Sequence, residues 1–503
     1  MLGNVPRNFA PVCVRIVTKV HSIGRVPRPR LLLLLAVAAA VVIAPAQAAS
    51  GAAQLQRLVP QPDGRANFGF TFRLYDSSDP AWGDTRPFDE RIADSIQHEL
   101  GGKTPTFLTV WSPWQEPEQP GKPLVPFSAA LPDIAKVRSV VGDQGLIHLE
   151  WTLSLSSQGN GGLTVKDIRD GAVDAYIRAY ARDVRNYGKP LLITPFVAEF
   201  NGTWWWAVSP GANPGLTTED FVEAWRRVVD IFRAVGADNV SWAWVVNSYP
   251  QPTDEPVIAY WPGDDYIDWI GADIYDVSPP HWLDGPYGLA VAHHKPFFIG
   301  EFGIRHEFSV LTPTQQQEWL ASMFNYFESH TGVKAISYFN YCYRPGAVHV
   351  KWDPARTVYL DNGQVNYEPN VNDLDSRLLA GGPDTQALFA RLISSPRYVS
   401  AIETEPVEAH VESATVQLLG PLVRRRTATL SWSGNLAADS YDLAVARGKG
   451  APKWRTIGTR LRASSFQLRG ARGEHVHVRV RARNVDGSPG QWSPAITLVF
   501  SRR

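Results

Sequence analysis

Residues 191–246 read LLITPFVAEFNGTWWWAVSPGANPGLTTEDFVEAWRRVVDIFRAVGADNVSWAWVV and contain one complete strand–helix–strand unit. The apolar runs 191–198 and 240–246 have the length of strands, and residues 217–236 between them have a helical period. We expect this helix to begin after Thr217, with acidic residues in its first turn, and to end at Gly236. Strands that are apolar throughout are typical of a parallel sheet that helices cover on both faces.

The same unit repeats along residues 66–397. Six further apolar runs bring the number of predicted strands to eight, at 67–72, 106–111, 146–151, 268–275, 296–302 and 335–341. Helical patterns lie between them, for example at 167–188 and 312–330, and residues 383–394 predict a last helix that closes the domain. Eight alternations predict an α/β fold, a (β/α)₈ or TIM barrel. The alternative is an open doubly wound sheet, but no glycine-rich phosphate loop follows the first strand to favour it.

Residues 406–503 have the period of two that is typical of antiparallel strands. In the clearest run, 475–484, valines alternate with histidine and arginine, as in a strand with one buried face. Further runs of this kind lie at 428–433, 440–447, 464–470 and 494–500. They predict a small all-β, immunoglobulin-like sandwich that a short polar linker around 400–412 joins to the barrel. The segment resembles a fibronectin type III module, with Trp432 and Tyr441 where that family has core aromatic residues.

The first 48 residues have the composition of a secretory signal peptide. Basic residues precede the 14-residue apolar segment LLLLLAVAAAVVIA (31–44), and Ala46-Gln47-Ala48 fits a cleavage site. Because a membrane span needs about 20 apolar residues, we expect cleavage and a secreted or cell-surface bacterial protein with no transmembrane span in the mature chain. Cys13 leaves with the signal and Cys342 remains alone, so no intrachain disulfide or cysteine metal site is expected.

The formal net charge of zero hides an asymmetry along the chain. Residues 31–405 contain 27 Lys/Arg against 43 Asp/Glu, a net charge of −16, whereas residues 406–503 contain 16 against 6, a net charge of +10. The arginines at 424–426 and in the run 475–483 predict a solvated face of the sandwich or, alternatively, contact with a cell surface or an acidic polymer. No motif supports nucleic-acid binding, and we expect a monomer.

Four predicted barrel strands end in a carboxylate: Glu150, Glu199, Asp273 and Glu301 end the third, fourth, sixth and seventh. In a TIM barrel the active site lies at these carboxyl ends. Glu199 and Glu301 end runs of nearly the same composition on opposite sides of the barrel mouth, so their side chains can converge on one sugar ring. Glycoside hydrolysis uses two such carboxyl groups, one protonated and one ionised. This chemistry needs no cofactor and no metal.

Three motifs within residues 66–397 resemble the family 26 glycoside hydrolases, a β-mannanase family of the retaining clan with (β/α)₈ barrels. They are VAEFNGTWWW (197–206), YIDWIGADIY (266–275) and FIGEFG (298–303). The resemblance implies that Glu199 is the general acid/base and Glu301 the nucleophile. It also implies that the hydroxyl of Tyr275 orients the nucleophile. Asn201 and the tryptophans Trp204, Trp205 and Trp206 match the loop that follows the acid/base residue.

Two positions differ from the family. Ala198 stands where the family usually has a histidine, and Phe339-Asn340-Tyr341 ends the eighth strand, where tryptophan is frequent. Both differences fall where the family binds the sugar next to the cleaved bond. The resemblance therefore predicts a retaining endo-β-glycanase with mannan as the first substrate to test. The alternatives are an exopolysaccharide-processing glycosidase with another sugar specificity and a catalytically silent glycan-binding barrel.

The chain contains 18 tryptophans, more than a core of this size requires. Flat indole rings bind the apolar C–H faces of sugars with a large buried area. We therefore predict that the tryptophans after Glu199, together with Trp111 and Trp114, form sugar platforms, although at least one of Trp204, Trp205 and Trp206 is expected to pack the following helix onto the barrel instead. Glu150, Phe339 and Tyr341 are also predicted to bind substrate. In contrast, Trp242 and Trp244 are predicted to be structural, one facing the barrel interior and one the helices, and His148 to be a core histidine.

Overall fold

A computed structural model describes residues 54–76, 85–115, 123–153, 163–196, 200–202, 207–208, 213, 215–248, 256–276, 278–304, 311–341, 378–407 and 410–500. The predicted signal peptide and both cysteines lie outside the described residues. Within the described residues, no helix combines the length and the apolar character that crossing a bilayer requires.

Eight parallel strands close into a barrel. After a short strand β1 (Leu55–Val59), the barrel strands follow in chain order, each hydrogen-bonded to the next. They are β2 (Ala66–Thr71), β3 (Phe107–Pro113), β4 (Leu146–Thr152), β5 (Leu191–Pro195), β6 (Val240–Asn247), β7 (Trp269–Tyr275), β8 (Phe297–Gly303) and β9 (Val333–Phe339). Parallel pairing of β2 with β9 closes the ring. The predicted (β/α)₈ barrel is confirmed, and the open-sheet alternative is wrong.

Helices cover the outside of the barrel. They are α1 (Phe88–His98), α2 (Leu131–Val141), α3 (Val165–Arg169), α4 (Asp174–Tyr187), α5 (Thr218–Val235), α6 (Asp284–Ala292), α7 (Pro313–Ser329) and α8 (Gly382–Ile393). The side chains of Thr217 and Thr312 cap α5 and α7 by accepting hydrogen bonds from the backbone amides of Asp220 and Gln315. The predicted start of α5 is therefore confirmed, because its cap supplies one of the partners that a helix start lacks.

Two connections differ from the simple alternation. The single helix predicted over 167–188 is interrupted between α3 and α4, where Gly171 has a φ of +80° and a Cβ would lie 2.4 Å from the guanidinium of Arg227. That guanidinium binds Asp174 at the start of α4 through two hydrogen bonds of 2.7 Å. Between β6 and β7 the described residues form two short 3₁₀ turns, Val257–Tyr260 and Asp264–Tyr266, instead of an α-helix.

The barrel interior is packed in layers. Near the amino ends of the strands the layer is apolar and contains Leu58, Phe107, Leu146, Leu192, Ala243, Val245, Trp269, Phe298 and Ala335. Above it, hydrogen bonds of 2.9–3.4 Å connect the side chains of Thr71, Thr109, His148, Thr194 and Ser337. Burial lowers the pKa of His148 to about 3, so this histidine is neutral. The prediction of a core histidine is confirmed.

Trp242 and Trp244 both point outward from β6 toward the helices. Trp242 packs edge-on against Phe232 of α5, and the Trp244 indole lies 5.3 Å from the ring of Phe200. The structural role predicted for both is confirmed, because both are buried. The prediction that they face opposite sides is wrong, since residues two apart on a strand share a face.

The C-terminal residues form two antiparallel sheets over one apolar core. The first sheet contains β12 (Val416–Leu418), β13 (Leu422–Arg424), β14 (Thr427–Gly434) and β17 (Ser465–Arg469). The second contains β15 (Ser440–Arg447), β16 (Arg455–Leu461), β18 (His475–Arg483), β19 (Pro489–Trp492) and β20 (Ile496–Val499). In β18 every second residue is buried, as the alternation predicts. The closer likeness to fibronectin type III modules stays a prediction.

The predicted linker is itself structured. A two-residue strand, β10 (Tyr398–Val399), extends the barrel sheet beside β2. It is followed by β11 (Glu403–Val407), which pairs antiparallel with β1 over five residues. Leu58 of β1 belongs to the apolar layer inside the barrel. The two-stranded ribbon β1–β11 therefore covers the amino-terminal end of the barrel, opposite the predicted active site.

Candidate active site

Six of the predicted site residues lie together at the carboxyl ends of barrel strands. They are Trp111 on β3, Glu150 on β4, Tyr275 on β7, Glu301 on β8, Phe339 at the end of β9 and Tyr341 just after it. Four of them, the aromatic residues, pack into one cluster. The two glutamates are joined to this cluster through hydrogen bonds with its members. The mouth of the barrel thus presents carboxylates among aromatic rings.

Glu301 lies at an irregularity in β8. Both neighbouring strands pair with β8 on either side of Gly300 and Glu301 but have one residue where β8 has two. An extra residue of this kind is a β-bulge, which redirects a side chain and is frequent beside active sites. A Cβ on Gly300 would lie 2.5 Å from Oδ1 of Asp273, so this position requires glycine. The sequence Gly300-Glu301 therefore places the carboxylate at the barrel mouth.

The carboxyl group of Glu301 has an unusual environment. Burial against its neighbours raises its pKa to about 7, although the hydroxyl of Tyr275 donates a 2.5 Å hydrogen bond to Oε2 and opposes the rise. Desolvation thus outweighs the hydrogen bond. A carboxyl group with this pKa exists in both protonation states near neutral pH, which is typical of catalytic acids and nucleophiles.

A second carboxylate, Glu150, lies on the other side of the aromatic cluster. The indole Nε1 of Trp111 donates a 2.7 Å hydrogen bond to Oε2 of Glu150. The Trp111 ring packs edge-on against Phe339 and Tyr341, with centroid distances of 6.3 and 5.2 Å. Trp111 is therefore held in one orientation while part of its surface remains accessible.

Tyr75, which the sequence reasoning did not select, extends this wall. Its hydroxyl lies 3.0 Å from that of Tyr341, and 39% of the residue is exposed, enough for a ligand to reach it. It follows the end of β2 by four residues. Its position just beyond the carboxyl end of a barrel strand is the sequence signal that could have identified it.

Two predicted substrate-binding residues, Trp114 and Asn201, are buried and bonded within the protein. Trp114 is fully buried. Its indole stacks on Trp151 with 4.0 Å between ring centroids and donates a hydrogen bond to the backbone carbonyl of Trp151. Asn201 is also buried, and both ends of its amide bind the backbone of Asn247 at 2.8 and 3.3 Å. The prediction that Trp114 forms a sugar platform is therefore wrong, because no face of its ring is accessible. The prediction that Asn201 binds substrate stays a prediction.

Glu199, Ala198 and the tryptophans Trp204, Trp205 and Trp206 lie outside the described residues. The described residues that flank them are fixed on the barrel. Phe196 has a φ of +67°, an uncommon conformation for a side chain of this size. Phe200 packs on Phe221 and Tyr260, with centroid distances of 4.4 and 5.3 Å. Both anchors belong to the carboxyl side of β5, the strand after which Glu199 follows.

Among the described residues, no group of three or more histidine, cysteine, aspartate or glutamate side chains is placed to hold a metal ion.

Residues 166–346 match the model of glycosyl hydrolase family 26. The matched segment includes Glu199, Tyr275, Glu301 and the end of β9. It does not include Tyr75, Trp111 or Glu150, so these three residues lie in the part of the barrel that the family model does not cover, whereas Tyr341 lies within it.

Three characterised proteins are similar to parts of the chain. Endoglucanase H of Acetivibrio thermocellus is 34% identical over 148 residues, 27% of this chain and 16% of the relative. The β-1,3-xylanase TXYA of Vibrio sp. is 27% identical over 197 residues, 35% of this chain and 41% of the relative. The mannan endo-1,4-β-mannosidase A and B of Caldalkalibacillus mannanilyticus is 30% identical over 124 residues, 24% and 23% of the two chains. The chain thus spans less than half the length of these relatives.

Proposed function

We propose that this chain is a retaining endo-β-glycanase, a glycosidase that cleaves internal bonds of a β-linked polysaccharide. The observation that supports the proposal most is the carboxyl group of Glu301, which a bulge directs to the barrel mouth, where its pKa is about 7 and Tyr275 is its hydrogen-bond donor. The match to glycosyl hydrolase family 26 over the same residues supports the reaction class independently.

In the proposed reaction the ionised carboxylate of Glu301 attacks the anomeric carbon of the sugar. The bond from that carbon to the glycosidic oxygen breaks, and Glu199 gives its proton to the departing oxygen. Water then attacks the anomeric carbon of the glycosyl–enzyme while Glu199 takes a proton from that water. The bond between the anomeric carbon and Glu301 breaks, which releases the carboxylate of Glu301. Tyr275 holds one oxygen of Glu301, which leaves the other oriented for attack. This route requires the two carboxyl groups to lie about 5 Å apart.

The proposed substrate has β-linked sugars whose apolar faces fit the aromatic wall of Tyr75, Trp111 and Tyr341. Aromatic edges and faces bind sugar C–H groups through buried area, and the buried carboxylate of Glu150 fixes the orientation of Trp111 by accepting its hydrogen bond. Mannan is the first substrate to test. The three relatives are named for a glucanase, a β-1,3-xylanase and a mannosidase activity, so β-glucan and β-1,3-xylan belong to the same panel.

The test is reducing-end release from β-mannan, mixed-linkage β-glucan, cellulose and β-1,3-xylan, with the stereochemistry of the first product followed by NMR. We expect one substrate to be cleaved with retention, and Glu301→Gln to abolish turnover while it still binds that substrate. Tyr187→Phe, whose hydroxyl binds Arg138 on the outer helices, is the control. Inversion of the anomeric centre would contradict the double displacement.

Ala198 supports the second candidate, a barrel that binds glycans without cleaving them, since alanine cannot supply the hydrogen bond of a histidine. Binding to one polysaccharide of the panel with no turnover on any of them would favour this candidate. A glycosidase that trims an exopolysaccharide is the third candidate.

We also propose that the protein is exported. We expect the sequence of the extracellular protein to begin after Ala48 when its N-terminus is sequenced, and retention of residues 1–48 would contradict the proposal.

A further inference from the structure

Eight of the arginines in the C-terminal sheets form two groups with different surroundings. The first group lies on the outer face of the second sheet. The guanidinium of Arg479 lies 4.2 Å from the ring centroid of Trp454 and 4.5 Å from that of Trp492. Arg481 and Arg483 bind the buried carboxylate of Asp442 at 2.8 and 2.7 Å. These three arginines are therefore occupied by partners within the sheet and stabilise it.

The second group lies at one end of the first sheet. It consists of Arg424, Arg425, Arg426, Arg469 and Arg472, which we call the arginine end. All five residues are exposed. Arg424 and Arg469 lie opposite Thr427 on either side of β14, and the amide of Gly470 donates to the carbonyl of Arg426, so two turns are held together.

No carboxylate in the described part of the chain neutralises the arginine end. Glu474, which lies two residues beyond Arg472, is instead held by Arg447 through contacts of 2.8 and 2.9 Å and by the amide of Ala471. The hydrogen bonds from Arg447 and from that amide lower the pKa of Glu474, so it stays ionised and paired. The arginine end therefore has an uncompensated positive charge.

The conformation of Arg425 is a separate observation. It lies in the two-residue turn between β13 and β14 with a φ of +50°. Turns of this kind favour glycine or asparagine, because a positive φ is unfavourable for longer side chains. The fold alone would be better served by another residue here. The turn therefore presents an exposed arginine at a position where asparagine would be less strained.

A row of hydroxyl groups continues from the arginine end along the sheet. Thr427, Thr429, Ser431 and Ser433 alternate with buried residues on β14 and share its outer face, with Gln467 of β17 beside Thr429. The row is about 20 Å long at the usual rise of a strand. Hydroxyl and amide groups hydrogen-bond to sugar hydroxyls, whereas guanidinium groups pair with carboxylate or sulfate in a two-pronged arrangement.

We propose that the arginine end and the hydroxyl row of β14 bind an acidic polysaccharide, a glycan chain with carboxylate or sulfate groups. A single-stranded nucleic acid would require aromatic stacking platforms beside the basic groups. The described tryptophans of the second sheet, Trp454 and Trp492, are covered by arginines, and Trp432 is buried. The choice of a glycan also rests on the proposed function, since the barrel would act on polysaccharide.

The test measures binding of the full chain to polygalacturonate at two salt concentrations. The variant Arg424→Gln/Arg426→Gln/Arg469→Gln should weaken binding about tenfold, a moderate effect for three exposed charges. The matched control, Lys453→Gln/Arg455→Gln/Arg462→Gln, removes three exposed charges from around the second sheet. An equal loss in the control would overturn the location of the site.

Two further variants separate binding from folding and from general charge effects. Arg425→Asn should weaken binding without lowering the midpoint of thermal unfolding, because asparagine tolerates a positive φ. Thr429→Val should weaken binding to polygalacturonate but not to double-stranded DNA or to vesicles of anionic phospholipid. Equal binding of the unmodified chain to all three probes, unaffected by Thr429→Val, would overturn the assignment to a glycan.

Glu301→Gln separates this proposal from the proposed function. We expect it to bind polygalacturonate as the unmodified chain does, because the site is on the C-terminal sheets. Loss of binding in Glu301→Gln would place the polymer in the barrel mouth and overturn the inference. Absence of turnover in the glycanase panel with intact binding to polygalacturonate would contradict the proposed function alone.

Discussion

At the scale of residues, the contact between Tyr275 and Glu301 determines when the proposed nucleophile is ionised. The hydroxyl donates to Oε2, which stabilises the carboxylate, while burial raises the pKa to about 7. Removing the donor leaves burial unopposed, so the pKa of Glu301 rises further in Tyr275→Phe. Because attack requires the carboxylate, the acidic limb of the kcat/KM profile should move to higher pH by about one unit.

The matched control is Tyr287→Phe, which removes a hydroxyl that accepts a hydrogen bond from the amide of Gly332, just before β9 at the amino-terminal side of the barrel. It should leave the pH profile in place. If Tyr275→Phe lowers kcat/KM by the same factor at every pH, its hydroxyl does not govern the ionisation of Glu301.

At the scale of elements, the bulge in β8 links a glycine to the position of the carboxylate. In Gly300→Ala the new methyl group would meet Asp273 at 2.5 Å and Val245 at 2.9 Å, both in the packed interior. Either the bulge shifts or its neighbours do, so Glu301 moves relative to Tyr275. We expect turnover to fall at least about tenfold, since displacements near 1 Å have large effects on catalysis, and the midpoint of thermal unfolding to fall as well.

The control for this substitution is Gly288→Ala in α6, where an added Cβ meets no atom within 4 Å. Alanine is a better helix former than glycine, so stability should stay equal or increase. Turnover of Gly300→Ala equal to that of the unmodified enzyme would show that the bulge does not position Glu301.

The same strand shows which features a sequence predicts. The strands, and the position of Glu301 at the carboxyl end of one of them, were predicted from apolar runs. Strands that are buried on both faces have such continuous apolar sequences. The bulge could not be predicted from the sequence, because it depends on how β8 pairs with β7 and β9 and not on the sequence of β8 alone. The prediction that Trp114 forms a sugar platform was wrong for a related reason. The conformation of the loop, and not the amino-acid composition, determines where a side chain beyond the end of a strand points. The aromatic wall could not be predicted either, because it forms through contacts among residues on β3 and residues that follow β2 and β9.

At the scale of the whole molecule, the C-terminal sheets are packed against the outer helices of the barrel. The amide of Glu412 donates to the carbonyl of Ala234 in α5 at 3.1 Å, and Arg178 of α4 donates to the carbonyl of Leu436 at 3.3 Å. Around these bonds, small buried residues fill the contact: Ala234, Ala414, Ala437, Ala438 and Ala482. Together with the β1–β11 ribbon, this contact makes the segment after the barrel a fixed part of one unit.

Substitution of a single alanine tests whether the two parts stabilise each other. Ala437 is 4% exposed in the turn between β14 and β15 and packs with Ala234. In Ala437→Arg the guanidinium would be buried without a partner or the contact would open, and either result removes mutual stabilisation. We expect the midpoint of thermal unfolding to fall by several degrees and a single transition to separate into two.

Ala451→Arg, which adds the same charge at an exposed turn of the second sheet, should unfold like the unmodified chain. A single transition at an unchanged temperature in Ala437→Arg would mean that the barrel and the C-terminal sheets unfold without energetic coupling through this contact.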